Sequence, residues 1–283
     1  MDNRFIMSAF SDEAGDALSE QIAALKRNNL AGMEIRGIDG ANIVNLTPEK
    51  VREVKTALDA EGLRVYSIGS PAGKIGVTDD FAPHLDSFKR MLDSAHILGA
   101  ERMRIFSFYV NEGELDTYRD EVMERLSRFC DAAKGSGVTL CHENEKGIYG
   151  ECAERCVDIA KTLPAIRLIY DPANLVCAGL DAKASWDLMA PYVEYLHIKD
   201  AFPDGRIVPA GEGEGAIPYV LAEYAKAGGR HLTLEPHLAI FGGLKNLEKD
   251  DSEIKIGGGY ATQNEAFDAA VTALNKVIGE IKL

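Results

Sequence analysis

The chain has 283 residues, 46% of them hydrophobic, and carries a formal net charge of −14. That acidity argues against nucleic-acid binding, which needs a basic footprint to displace counterions, and against anionic membrane surfaces. No apolar run approaches the roughly 20 residues that span a bilayer, and Met1-Asp2-Asn3-Arg4 lacks a signal peptide's basic start and apolar centre. Five cysteines are an odd number, and most fall inside predicted elements, as expected of reduced thiols in a cytoplasm.

In chain order, Arg4 to Phe10 reads as a first strand closed by Ser11-Asp12-Glu13, followed by a helix with Leu18, Ile22 and Leu25 inward. Gly32 to Arg36 is the second strand. Leu46-Thr47-Pro48 announces a helix: Thr47 can cap it, Pro48 suits its first position, and Val51, Val54 and Leu58 form its inner stripe. Leu63 to Gly69 is the third strand, running into the turn-rich Ser70-Pro71-Ala72-Gly73-Lys74. A helix with Leu85, Phe88, Leu92 and Ala95 inward stops at Gly99. Arg102 to Phe108 is strand four, and Val122, Leu126, Phe129 and Ala133 mark the helix behind it.

Val138-Thr139-Leu140-Cys141 begins strand five, whose far end crowds His142, Glu143, Asn144 and Glu145 together. Period-two alternation puts Thr139, Cys141, Glu143 and Glu145 on one face and His142 on the other, toward the helices. A helix over about 151–163 leads to strand six, Ile166 to Asp171, and a short helix is expected around Trp186. Val193 to Asp200 is strand seven; a helix near Tyr219 to Tyr224 precedes strand eight, His231 to Glu235. The capping box Thr262-Gln263-Asn264-Glu265 opens a last helix with Phe267, Val271, Leu274 and Ile278 inward.

Eight strand–helix units with no change of composition predict parallel strands with right-handed crossovers, in one domain over 1–283. Their number and length are those of a closed (β/α)8 barrel; a doubly wound sheet is the alternative, but no Gly-x-Gly-x-x-Gly follows the first strand. The segment from about 238 to 262 is long for a βα loop and is read as a lid, a partner surface or an insertion.

Catalytic groups of such barrels sit at the C-terminal ends of strands. Those ends supply Asp12 and Glu13, Glu34 with Arg36, Ser70, and Arg104 with Ser107. They continue with Glu143 and Glu145, Asp171, His197 with Lys199, and Glu235 with His237. Four consecutive strands thus end in a hard oxygen or imidazole ligand: Glu143, Asp171, His197 and Glu235. Three carboxylates converging on one axis repel each other unless a cation lies between them. The oxygen-rich set suits Mn²⁺, Mg²⁺ or Co²⁺, with Zn²⁺ also open, and six-coordination leaves places for a carbonyl and a neighbouring hydroxyl oxygen.

These motifs resemble the xylose-isomerase-like (β/α)8 barrels, the AP endonuclease family 2 fold shared by sugar isomerases, sugar epimerases and endonuclease IV. The resemblance lies in Glu143-Asn144, Asp171-Pro172-Ala173-Asn174, His197-Ile198-Lys199-Asp200, Gly211-Glu212-Gly213 and Glu235-Pro236-His237. It implies that Glu143, Asp171, His197 and Glu235 bind the metal. It also implies that Glu143 and Glu235 act as paired acid/bases on opposite faces of a sugar, as in the ketose 3-epimerase branch. Asn174 stands where many members have a histidine, and the further histidines of endonuclease IV's zinc cluster are missing, so DNA repair is not expected.

The expected activity is a divalent-metal-dependent sugar or sugar-phosphate isomerase or epimerase, working by deprotonation next to a carbonyl with a metal-stabilised enediolate. A lyase or dehydratase on the same site, and a non-catalytic sugar-binding barrel, are the alternatives. Glu145, Asn174, Lys199, Arg206 and His237 are candidate substrate contacts; for Lys199 a salt bridge to Glu235 or Glu143 is the competing reading, and for Arg206 simple exposure. Lys74 is the phosphate candidate, His142, His84, His96 and His231 are read as packing or surface histidines, and Cys152 and Cys156 as helix packing. A small-molecule sugar is the expected partner, with no nucleic acid and no membrane; homo-oligomerisation is left open.

Overall fold

The structure, a computed structural model, describes residues 4–111, 113–242, 255–256 and 259–281. In chain order the strands are β1 (Ile6–Ala9), β2 (Gly32–Ile35), a hairpin of β3 (Gly37–Ile38) and β4 (Ala41–Asn42), β5 (Arg64–Ile68), β6 (Arg102–Ile105) and β7 (Thr139–Glu143). Then come β8 (Ile166–Tyr170), β9 (Val193–Ile198), β10 (Asp200–Ala201), β11 (Arg206–Val208), β12 (His231–Leu234) and β13 (Lys255–Ile256). Eight of them close a parallel barrel in the order β1-β12-β9-β8-β7-β6-β5-β2. The closing pair sets Ile6 against His231 and Ala9 against Leu234 in parallel register.

The helices α1 (Leu18–Arg27), α2 (Pro48–Ala60), α3 (Phe81–Leu98), α4 (Arg119–Ala133), α5 (Ala153–Thr162), α6 (Pro172–Cys177), α7 (Ala182–Met189), α8 (Ile217–Lys226) and α9 (Gln263–Glu280) interleave with these strands. Their starts follow from local chemistry. Thr47 accepts from Lys50 N and Thr262 from Glu265 N, satisfying orphan donors of the first turn. Gly99 closes α3 at φ +71°, a left-handed conformation that glycine adopts without a Cβ penalty. Val51, Val54 and Leu58 of α2 are fully buried, whereas Ile22 of α1 is only half-buried.

The two faces of the barrel wall differ. Outward side chains such as Met33, Ile35 and Met103 join the large core beneath the helices, while Cys141, Ile169 and Tyr195 form a separate small cluster. Beside that cluster runs a hydrogen-bonded polar column. Glu34 accepts from Tyr195 and Ser67, and Ser8 bonds both Thr233 and His231. Buried polar groups are tolerable when paired in this way, and these pairings put a polar layer directly beneath the strand tips.

Several elements differ from expectation. Between β8 and β9 the chain makes two helices rather than one, because Asp171-Pro172 starts α6 at once. The hairpin β3–β4 and the small sheet β10-β11-β13 are additional. Strand seven ends at Ile198, and the chain re-enters extended pairing at Asp200 opposite Val208. Of the long 238–262 segment, Leu238 and Phe241 are buried and 255–256 pair with β11; residues 243–254 and 257–258 lie outside the described set.

Candidate metal centre

Each acidic or imidazole group arrives at the barrel mouth for a local reason. Glu143 is the last residue of β7, and His197 sits one residue before the end of β9. Asp171 is the N-cap of α6, its Oδ1 accepting from Asn174 N at 3.0 Å, with Pro172 at the first helical position. Glu235 follows β12, its backbone N–H bonded to Ile198 O. All four side chains are buried, and one ligand atom from each lies within 4.8 Å of the others. His197 Nδ1 is 2.9 Å from Glu143 Oε1 and 3.5 Å from Glu235 Oε2.

Three buried cations surround this cluster. Arg104 donates to Glu143 Oε2 at 3.0 Å. Lys199 Nζ lies 2.9 Å from Asp171 Oδ2 and 3.2 Å from Glu235 Oε2. Arg36 grips Asp12 through two nitrogens and reaches Glu13 Oε1 and Glu235 Oε1, both at 3.1 Å. Both guanidinium groups flank the Phe10 ring; Phe241 takes the other contact of Arg36, and Phe106 that of Arg104. A second acidic group, Glu13 with Glu235 and His237, adjoins the first through the shared Glu235.

The electrostatics follow from burial against pairing. Burial raises every carboxyl here, yet His197 and Arg104 overcome it at Glu143 and hold it at about 2. At Glu235, Lys199 leads the charges that outweigh burial and hold it well below the usual range. At Asp171 burial prevails over Lys199, giving about 7, and at Glu13 burial beside Glu235 and Asp12 prevails over Arg36, giving about 8. Burial disfavours the His197 imidazolium, but Glu143 and Glu34 hold it up to about 10.

Two features decide that these residues fit a divalent cation. Asp171 Oδ2 is buried, and its one close partner is the Lys199 ammonium at 2.9 Å, which Glu235 Oε2 shares at 3.2 Å. One ammonium shared between two buried carboxylates leaves lone pairs that a further cation can take, and buried carboxylates are costly without such partners. The donor set is also right: three carboxylates and one imidazole nitrogen suit a hard or borderline divalent ion. Cys141, one layer down on β7, is buried with its thiol pushed well above its ordinary value, and does not belong to the set.

The remaining expected residues divide. Lys199 faces the cluster, pairing with Asp171 and Glu235 rather than Glu143. His237 faces it as well: Nε2 is buried without a hydrogen bond, 3.5 Å from Glu13 Oε1 and 3.6 Å from Glu235 Oε1. Its φ of +46° turns the chain so that its backbone N–H meets Glu13 Oε2 at 2.6 Å. Glu145 lies at the rim, paired with Lys74 at 3.1 Å; Lys74 also stacks over Phe106. Asn174 is turned away, its amide spent on Asn144 O at 2.9 Å. Arg206 is exposed on β11, over Phe202 and beside Asp204, outside the cluster.

The glycine run after β11 closes on the chain itself: the N–H groups of Gly211, Gly213 and Gly215 all donate to the Asp200 carboxylate, at 2.8–3.1 Å. A Cβ at Gly213 would lie 2.4 Å from Asp200 Oδ1, so glycine is required for that approach. His142 faces the helices, bonded to Ser107 at 2.9 Å, and Cys156 donates to Gly150 O. Sequence reasoning placed Glu13, Glu34, Arg36 and Arg104 at strand tips without roles, and gave Asn144 none.

A closed parallel barrel with a buried acid–imidazole cluster at its C-terminal mouth defines the class. The chain matches the family model of the xylose isomerase-like TIM barrel over residues 22–247, and it belongs to that family. Among curated proteins, none matches the sequence. Its fold is similar to D-psicose 3-epimerase with D-tagatose from Clostridium cellulolyticum H10, at TM-score 0.73 and 15% identity, over 98% of this chain and 99% of that one. It is similar to the IOLI protein with a binding zinc atom, at TM-score 0.72 and 14% identity over 98% and 99%. It is similar too to the probable 3-DHS dehydratase AsbF of Bacillus anthracis, at TM-score 0.70 and 13% identity over 96% and 98%.

Proposed function

We propose that this protein is a divalent-metal-dependent sugar or sugar-phosphate isomerase or epimerase that removes a proton from carbon next to a carbonyl. The observation that carries the reading is the buried convergence of Glu143, Asp171, His197 and Glu235, three carboxylates and an imidazole within 4.8 Å of one another. A divalent cation held by these four, Mn²⁺ in this proposal, supplies the Lewis acidity that makes such a C–H bond acidic.

Glu143 and Glu235 are the proposed acid/base pair. They come from β7 and from the end of β12, and approach the same His197 nitrogen at 2.9 and 3.5 Å. Both are held below the usual carboxylate range, so each is ionised and able to accept a proton at neutral pH. Arg104 fixes one oxygen of Glu143 and Arg36 one oxygen of Glu235, leaving the other oxygens toward the cluster. Proton removal by one carboxylate and return by the other inverts a carbon; return to the neighbouring carbon gives isomerisation. Lys199 and His237 Nε2 are the proposed donors to substrate oxygens, with Glu145 at the rim. The rings of Phe10, Phe106 and Phe241 shield the arginines from water.

Elimination is the second reading. It is favoured by the Lys199 ammonium inside the cluster, which can protonate a leaving hydroxyl, and by the likeness to a probable dehydratase. The test is incubation of the Mn²⁺-loaded protein with ketoses and ketose phosphates in heavy water. Isomerase or epimerase chemistry places deuterium in an otherwise intact sugar skeleton, whereas loss of water identifies the lyase. A purified protein that neither retains nor takes up a divalent metal contradicts both.

A further inference from the structure

We infer that Glu34 is a positioning residue that decides which nitrogen of His197 faces the cation; the inference rests on the metal centre proposed above. His197 presents its two ring nitrogens to different surroundings. Nδ1 looks into the cluster, toward Glu143 and Glu235. Nε2 lies on the other side of the ring, 3.1 Å from Glu34 Oε2. Glu34 is not among the residues whose atoms converge within 4.8 Å, so its carboxylate lies outside the ligand set.

Glu34 is itself held rigidly. It stands on β2, 1% exposed, and its Oε1 accepts from the Tyr195 hydroxyl at 3.0 Å and from Ser67 Oγ at 3.4 Å. Ser67 and Tyr195 also bond each other at 3.1 Å. That clamp leaves Oε2 directed at His197. The imidazole is confined in turn by two edge contacts, Phe10 at 5.2 Å and Tyr195 at 5.5 Å between ring centres. A ring so confined, once a cation displaces one of its two protons, has two neutral tautomers to choose between. With a carboxylate at Nε2, the proton belongs there, and the Nδ1 lone pair is free for a cation. Without it, a proton on Nδ1 pointing at Glu143 becomes competitive and blocks coordination. A solitary buried carboxylate is expensive, and donors from two strands, Ser67 on β5 with Tyr195 and His197 on β9, are gathered around this one.

The experiment compares wild type, Glu34→Gln, Tyr195→Phe and the double variant Ser67→Ala/Tyr195→Phe, with Zn²⁺ as the probe. Zn²⁺ affinity is measured by chelator competition. The His197 tautomer is read from ¹⁵N-histidine NMR of the zinc-loaded protein, the resonance being identified by its loss in His197→Asn. Glu34→Gln is expected to weaken Zn²⁺ binding about 10–100-fold, and the double variant to weaken it less, by releasing Glu34 from its clamp. Each loss should be accompanied by a fall in the Nε2–H population. A merely structural Glu34 would lower the melting temperature while leaving affinity and tautomer unchanged, and that result overturns the inference. If Glu34→Gln does not fold, the double variant decides alone: wild-type affinity and wild-type tautomer count against Glu34. Wild-type protein that takes up no Zn²⁺ is a different failure, removing the centre itself and this role with it.

Discussion

Asn144 and Asp171 exchange two hydrogen bonds across neighbouring strand tips: Asn144 Nδ2 donates to Asp171 O at 2.8 Å, and Asn144 Oδ1 accepts from Asp171 N at 3.0 Å. This splint fixes the backbone from which the Asp171 carboxylate reaches the cluster. Asn144 is fully buried, so Asn144→Ala leaves a backbone donor and acceptor without partners. The expected cost is about 2–4 kcal/mol of unfolding free energy, from urea titration, with weakened metal binding alongside. Unchanged stability would mean that water or a neighbouring group takes both places.

Lys199 stands where a cation relieves Asp171 and Glu235. Lys199→Met therefore leaves two buried carboxylates short of positive charge, and the chelator-treated variant should lose about 3–5 kcal/mol relative to wild type. Divalent metal at one hundred times its dissociation constant should stabilise wild type by about 2.7 kcal/mol, roughly 5–10 °C in melting temperature. The variant should gain more. Calorimetry with and without chelator makes the comparison, and equal gains would count against Lys199 sharing charge with the centre.

Glu235→Gln and Glu143→Gln each remove one member of the proposed acid/base pair. Turnover at saturating metal should drop at least about 100-fold in both, while far-UV circular dichroism and cooperative melting persist. Exchange of the substrate C–H with solvent separates the two roles, because a lesion in the returning acid alone leaves exchange measurable. Wild-type turnover in either variant would exclude that residue from proton transfer.

His231 supplies a pH prediction away from the centre. Burial first, and the charge of Arg102 second, push its imidazole down to about 4, against about 6.5 in the unfolded chain. Between these values the unfolded chain binds more protons than the folded one, so this residue's effect is lost stability as pH falls from about 6.5 to about 4. Its ceiling is about 3 kcal/mol. His231→Gln, which keeps a partner for Ser8, should flatten unfolding free energy over that window; His142, also pushed to about 4, leaves a residual slope. Parallel wild-type and variant profiles would show that His231 takes up no proton on unfolding.

The barrel was legible because its signal is redundant. Thr47-Pro48, Gly99 and the Thr262 capping box each mark an end that the backbone adopts for the stated chemical reason, and eight repeats of strand then helix leave few topologies. The convergence of Glu143, Asp171, His197 and Glu235 could be anticipated since barrel closure carries all strand tips to one mouth. Of their partners, Lys199 beside Glu235 was foreseeable from the strand tips, whereas the arginines were not, because pairing is a matter of side-chain reach: Arg36, just past β2, spans to Glu235, 199 positions away.

Two missed elements did have local signals. Asp39-Gly40, with φ of +52° and +75°, is the turn pair of the β3–β4 hairpin. Pro203-Asp204-Gly205 reverses the chain between β10 and β11. That turn carries Arg206 to an exposed edge, as the competing reading of this arginine has it.

The grip of Gly211, Gly213 and Gly215 on Asp200 has a wider consequence. Alternating glycines are commonly read as a seat for phosphorylated compounds, yet here an internal anion eleven positions upstream of Gly211 already fills the seat. Any descendant of this barrel that recruits the turn for a nucleotide or sugar phosphate must first evict its own aspartate. The diagnostic for telling an open seat from a filled one is thus the acid that precedes the glycines, not their spacing.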